Sequence, residues 1–287
     1  MQDGLILCRF VHFGAVLLLF GAGLFRHVLF TASLPGFETT ATRQRLDRAL
    51  LSLAAVALLS AIGWLMATAA NMADDWRDGF DLSTNALVLG HTFFGHVWII
   101  HLLLNLLALL CAPRLSPRPL LLINTLLLLT LAPAGHGAMF DGTQGALLIV
   151  NQMLHLTGVG LWLGGLLMLA VLLLSTYAVD LRAVLLRFSG IGYGLVALII
   201  VTGMINVRAL SGGIWPEPAL AGFGQVLAFK LLMVLCMLAL AGVNRSLARA
   251  PTLNLAMLRV SVLLECVFGT AALAAVSLLG TLPPMLA

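Results

Sequence analysis

LILCRFVHFGAVLLLFGAGLFRHVLF, residues 5–30, decides how this chain is read. It is apolar for longer than the roughly 20 residues a helix needs to cross a bilayer, and longer than the hydrophobic core of a cleaved signal. No basic segment precedes it, so it reads as a first spanning helix. It also carries Cys8, Arg9 and His12 at membrane depth, where ionisable groups are expensive and mostly face a bundle interior or a cavity.

Working outward, similar runs recur over residues 47–70, 85–111, 119–134, 146–175, 186–207, 222–244 and 258–281. The 119–134 run is the shortest. Of the 287 residues, 61% are hydrophobic and 9% charged, and mean hydropathy is +1.10. Soluble domains carry about 25% charged residues. The expected fold is all-α, a polytopic membrane bundle of about eight helices, with residues 1–287 as a single integral membrane domain. No polar linker divides it.

The arginines report orientation. Arg43, Arg45, Arg48, Arg114, Arg118, Arg182, Arg187, Arg245, Arg249 and Arg259 fall in loops on one side. Arg77 and Arg208 lie on the other, with Asp74, Asp75, Asp78 and Asp81. The positive-inside rule places both termini in the periplasm. The net charge of +4 is thereby a topology signal, and nucleic acid is excluded as a partner. Cys8, Cys111, Cys236 and Cys266 are scattered, which predicts neither a disulfide framework nor a structural zinc site. Gly160-x-x-x-Gly164 and Gly190-x-x-x-Gly194 have the spacing of close helix packing.

Histidines supply the chemistry. His12, His91, His96, His136 and His155 all belong to the outer half, His101 lies near the middle, and only His27 lies towards the cytoplasm. Imidazole is a common ligand for copper, zinc and haem iron. His91, His96 and His101 are five apart, a net turn of about 140° each on a regular helix, so they cannot all face one site. Cys8 and His12 share a face. Met153 near His155, with Met66, Met72, Met139 and Met204, adds soft thioethers to the same half, a mixture suited to Cu(I). Lys230 and Glu265 are the other intramembrane charges. Read at similar depth, they form either an ion pair between helices or a partner for an anionic group such as a haem propionate or a quinone.

Asn151-Gln-Met-Leu-His155 followed by Leu161-Trp162-Leu163-Gly164-Gly165 resembles the LH…WLGG signature of the copper resistance protein D (CopD) family. Arg9-Phe10-Val11-His12 resembles the family's first helix, and Gly135-His136-Gly137 its loop before the fifth. Arg187-Phe188-Ser189, Thr202-Gly203, Lys230, Asn244-Arg245, Arg259, Glu265 and Gly280-Thr-Leu-Pro-Pro284 continue the likeness, which is densest over about 146–284. Asn151 stands where the family pattern suggests Asp. The resemblance implies a bacterial inner-membrane protein that moves copper and works with a periplasmic copper-binding protein.

Two active readings follow. In the first, copper is bound on the periplasmic side by His12, His91, His96, His136 and His155, then moved across or into the membrane; Cys8, Met153, Trp162 and Glu265 are accessory residues. In the alternative, the chain is a quinol-linked cupric reductase. Haem b is then held by His12, His91, His96 and His155, with Arg9 and Lys230 as propionate partners. A scaffold without metal is the third reading, and the number of buried histidines argues against it. Bound copper without a Soret band supports the first reading; a reducible haem spectrum supports the second.

Overall fold

A computed structural model describes residues 2–135 and 139–282. Among them are ten α-helices. They are α1 (Gln2–Leu24), α2 (Ala41–Ala73), α3 (Trp76–Phe80), α4 (Leu82–His91), α5 (Phe93–Cys111), α6 (Pro117–Leu129), α7 (Gly142–Leu174), α8 (Leu181–Ser211), α9 (Phe223–Arg249) and α10 (Leu255–Leu279). A π-helical turn, Phe25–Leu29, extends α1. Eight helical segments are long and apolar enough to cross a membrane. The expected bundle is therefore the observed one.

α1 and α7 form the centre. α1 packs on α2, α6, α7 and α10; α7 adds α8; α9 leans mainly on α10. Glycine permits the central contact. A Cβ on Gly21 of α1 would sit 2.8 Å from Gly164 Cα on α7, and one on Gly160 would sit 2.9 Å from Phe20 Cδ1. The Gly160-x-x-x-Gly164 pattern is thus a real seam. Gly190 and Gly194 meet nothing within 4 Å, so the second pattern makes no such seam.

Residues 85–111, read as one span, are two helices. Thr92 adopts extended geometry and its Oγ1 accepts the Gly95 amide at 2.8 Å, starting α5 afresh as an N-cap. A Cβ on Gly95 would lie 2.6 Å from Leu89 Cα, so only glycine lets the two segments fold this closely. The His96 ring closes the break by donating from Nε2 to Gly90 O at 2.9 Å.

At the end of the bundle away from the termini, Arg26 is buried in the π-turn. It donates to both Glu38 oxygens at 2.8 and 2.6 Å and to Asp47 at 2.6 Å. Arg43 also pairs with Asp47 at 2.6 Å. The Arg26 guanidinium holds the Glu38 carboxyl below the usual carboxylate range. This cluster closes the α1–α2 connection.

Candidate functional site

His12 and His101 form a buried pair, with their Nε2 atoms 2.7 Å apart. Both rings are fully buried. Three neighbouring elements fix them. His12 Nδ1 lies 2.9 Å from Ala57 O and 3.1 Å from Ser60 Oγ on α2. His101 Nδ1 lies 2.7 Å from Thr130 Oγ1, at the end of α6. Trp98 stacks on His101 at 4.5 Å and also packs on His12 at 5.8 Å, while Trp64 meets His12 edge-on at 5.9 Å.

Counting hydrogens assigns the tautomers. Ala57 O can only accept, so His12 Nδ1 carries a hydrogen and its Nε2 bears a lone pair. With both rings neutral, His101 Nε2–H donates to His12 and His101 Nδ1 accepts from the Thr130 hydroxyl, whose other acceptor within reach is Leu127 O at 2.9 Å. Orienting an imidazole through its far nitrogen is how proteins prepare a metal ligand.

The pair corrects several sequence expectations. His101, left at mid-membrane outside the proposed ligand set, is the partner of His12. His91 and His96 are exposed and, among the described residues, neither hydrogen-bonds another histidine; the break at Thr92 puts them on separate helices, and His96 Nε2 donates to Gly90 O. Among the described residues, no group of three or more His, Cys, Asp or Glu gathers to hold a metal ion. Cys8 faces α2 as His12 does, its Sγ 3.0 Å from where a Cβ on Gly63 would lie. Met72, Met139 and Met204 are exposed. His136 lies outside the described residues.

His155 forms a separate centre. Its Nδ1 lies 2.9 Å from Thr202 Oγ1 on α8, and that hydroxyl gives its own hydrogen to Leu198 O at 2.6 Å. His155 Nδ1 therefore donates, leaving the lone pair on Nε2. Asn151, one turn earlier, donates to Thr202 O at 2.9 Å and to Asn206 Oδ1 at 2.8 Å, and Asn206 donates to Gln152 at 2.8 Å. An amide thus does at Asn151 what a carboxylate could not, since a carboxylate has no hydrogen to give to those two acceptors. Met153 packs against the main core.

Lys230 and Glu265 are not paired. Glu265 accepts from Trp162 Nε1 at 2.9 Å and from Asn244 Nδ2 at 3.0 Å. Asn244 lies fourteen residues along α9 from Lys230, about 21 Å at the helical rise. The two charges therefore sit at different depths. Lys230 instead lines a cavity with His155 and Arg9.

Residues 1–146 match the family described as copper resistance protein D-like, N-terminal domain, and residues 182–279 match copper resistance protein D. The chain belongs to the copper resistance protein D family. Inner membrane protein YebZ of Escherichia coli (strain K12) is 29% identical over 250 residues, covering 84% of this chain and 82% of that protein. Copper resistance protein D of Pseudomonas syringae pv. tomato is 29% identical over 261 residues, covering 85% and 82%. No solved structure matches the chain. With its eight apolar spans, this family member is a multi-pass inner-membrane protein. The first family segment contains His12, His101 and Thr130; the second contains Thr202, Lys230 and Glu265.

Proposed function

We propose that the chain captures copper between His12 and His101 and moves it into or across the inner membrane. The observation that carries this reading is the opposed pair of Nε2 atoms, each on a ring anchored through its other nitrogen. Two neutral imidazoles facing one another suit a linear, two-coordinate Cu(I) ion, and imidazole is an ordinary copper ligand. Metal–imidazole bonds are about 2 Å long, as for zinc, so the ion needs the nitrogens about 4 Å apart. The rings must separate by about 1.3 Å from their present contact, a side-chain movement. The arginine asymmetry supports a periplasmic position for the end at which α1 begins and α10 finishes. His12 then lies about 15 Å, ten residues, from the start of α1. Membership in the copper resistance protein D family supports copper as the cargo.

Anaerobic titration of the purified protein with Cu(I) against a chromophoric competitor tests this. One tightly held copper per chain is expected, lost in both His12→Ala and His101→Ala, with transport into proteoliposomes lost in the same variants. Stoichiometric tight binding retained by both folded variants refutes the site.

A further inference from the structure

The cavity beside His155 encloses about 220 Å³. Two cations line it, Arg9 and Lys230, and none of its lining residues is acidic. Among the described residues neither cation has a carboxylate partner. Arg9 is more than nine-tenths buried, and its Nε has no hydrogen-bond partner. Arg9 and Lys230 each sit seven residues, about 10 Å, in from the start of their helices, and both line the cavity. Towards the membrane centre the walls turn apolar, with Val159, Trp162, Leu163, Val234 and Met237.

Buried cations with no counter-charge among the described residues are costly, and an anionic ligand would relieve that cost. The same charges repel a copper ion, so this is not a second copper site. The remaining polar feature is His155. Its Nδ1 hydrogen is committed to Thr202, and its Nε2 lone pair has no hydrogen-bond partner among the described residues.

We propose that the cavity binds an iron porphyrin dicarboxylate, haem of the b type, with its carboxylates on Arg9 and Lys230 and its iron on His155 Nε2. Haem meets all three requirements together: two acidic groups for two cations, a metal for one imidazole, and an apolar macrocycle for the deeper walls. A fatty acid or phospholipid satisfies the cations and leaves the imidazole idle. A neutral quinone leaves both cations unmatched. His12 takes no part, because its Nε2 faces His101. The assignment is independent of the copper pair, although Arg9 lies between the two sites, its guanidinium 4.7 Å from the Trp64 ring that packs on His12.

The test is spectroscopic. Full-length protein is purified from cells supplied with a haem precursor, then titrated with hemin in detergent. A Soret band saturating at one haem per chain is expected. His155→Ala should lose the iron–imidazole spectrum, whereas His12→Ala should keep it. Arg9→Gln and Lys230→Gln should keep the spectrum and bind hemin roughly tenfold or more weakly, as expected when one partner of a buried charge contact is removed. Folded wild-type protein that shows no Soret band on hemin titration overturns the proposal, whether or not it binds Cu(I). So does an unchanged spectrum in His155→Ala, or co-purified lipid displaced by fatty acid but not by hemin.

Discussion

Replacing Thr130 with Val removes one hydroxyl and leaves the shape. Thr130 Oγ1 lies 2.7 Å from His101 Nδ1 and 2.9 Å from Leu127 O. Without copper, the hydroxyl donates to His101. When copper takes His101 Nε2, that ring's hydrogen must move to Nδ1. Thr130 then accepts it and turns its own hydrogen to Leu127 O, so capture needs neither a net proton loss nor a charged ring. In Thr130→Val the copper-bound ring carries a buried N–H with no acceptor. Leaving such a group unsatisfied costs about 1–3 kcal/mol, and losing the partner that orients a metal ligand typically weakens metal binding about 10–100-fold. The two ranges agree, because about 1.4 kcal/mol is a factor of ten. Competition titration with Cu(I) should show that loss for Thr130→Val and near-wild-type affinity for Thr130→Ser. Equal affinity in Thr130→Val and wild type refutes the hydroxyl relay, as does equal loss in both variants.

Gly164→Ala places a Cβ 2.5 Å from the Ala22 amide nitrogen, against backbone that has nowhere to go. Overpacking costs about 1–3 kcal/mol, so its melting temperature in detergent should fall while that of Gly190→Ala, in open space, should not; matching melts would show that the α1–α7 seam is looser than described. Glu38 is held below its usual range by Arg26, so its contribution is full above the unfolded carboxylate value of about 4.3 and is lost as pH falls through the lower folded value. Thermal midpoints of wild type should drop below about pH 4.3, with a flatter profile in Glu38→Gln; because Glu38 is 56% exposed, the effect is modest and shrinks in salt. His91→Ala with His96→Ala should leave Cu(I) affinity unchanged, and a large loss would return the site to the α4–α5 break.

The eight spans were legible because apolar length and the arginine loops are properties of long segments that survive errors of a few residues. Pairwise chemistry was not. His101 could be separated from His91 and His96 by helical phase, but α5 is apolar on every side, so phase alone did not say which histidine faces inward. The signal was present in Trp98, His101, Asn105 and Ala108, whose spacing of three, four and three residues marks the buried face. Thr92-x-x-Gly95 likewise carries an N-cap pattern within what reads as one apolar run. Lys230 and Glu265 read as level from the ends of their apolar runs, whereas the Asn244–Glu265 bond fixes how α9 and α10 are shifted. Thr130 offered no signal, since a single hydroxyl at a helix end means nothing until the histidine it touches is known.

Inward of the histidine pair, the polar groups change character. Asn105 lies one turn beyond His101 and donates to its carbonyl at 2.9 Å, while its own Oδ1 has no partner. Asn124 lies six residues, about 9 Å, inward of Thr130 on α6, and its Oδ1 is also unpartnered. Both are almost fully buried. Two unsatisfied amide oxygens cost about 1–3 kcal/mol each, and polar groups kept at that cost within a membrane mark pathways. Amide oxygen is a poor match for Cu(I), and conduction requires stations weak enough to leave. On the proposed copper reading, Asn105→Leu should therefore separate capture from passage. The variant should bind Cu(I) as wild type does and unfold at a higher temperature, having lost an unsatisfied acceptor, yet copper uptake into proteoliposomes should slow. Uptake at the wild-type rate would show that copper leaves the pair by another route.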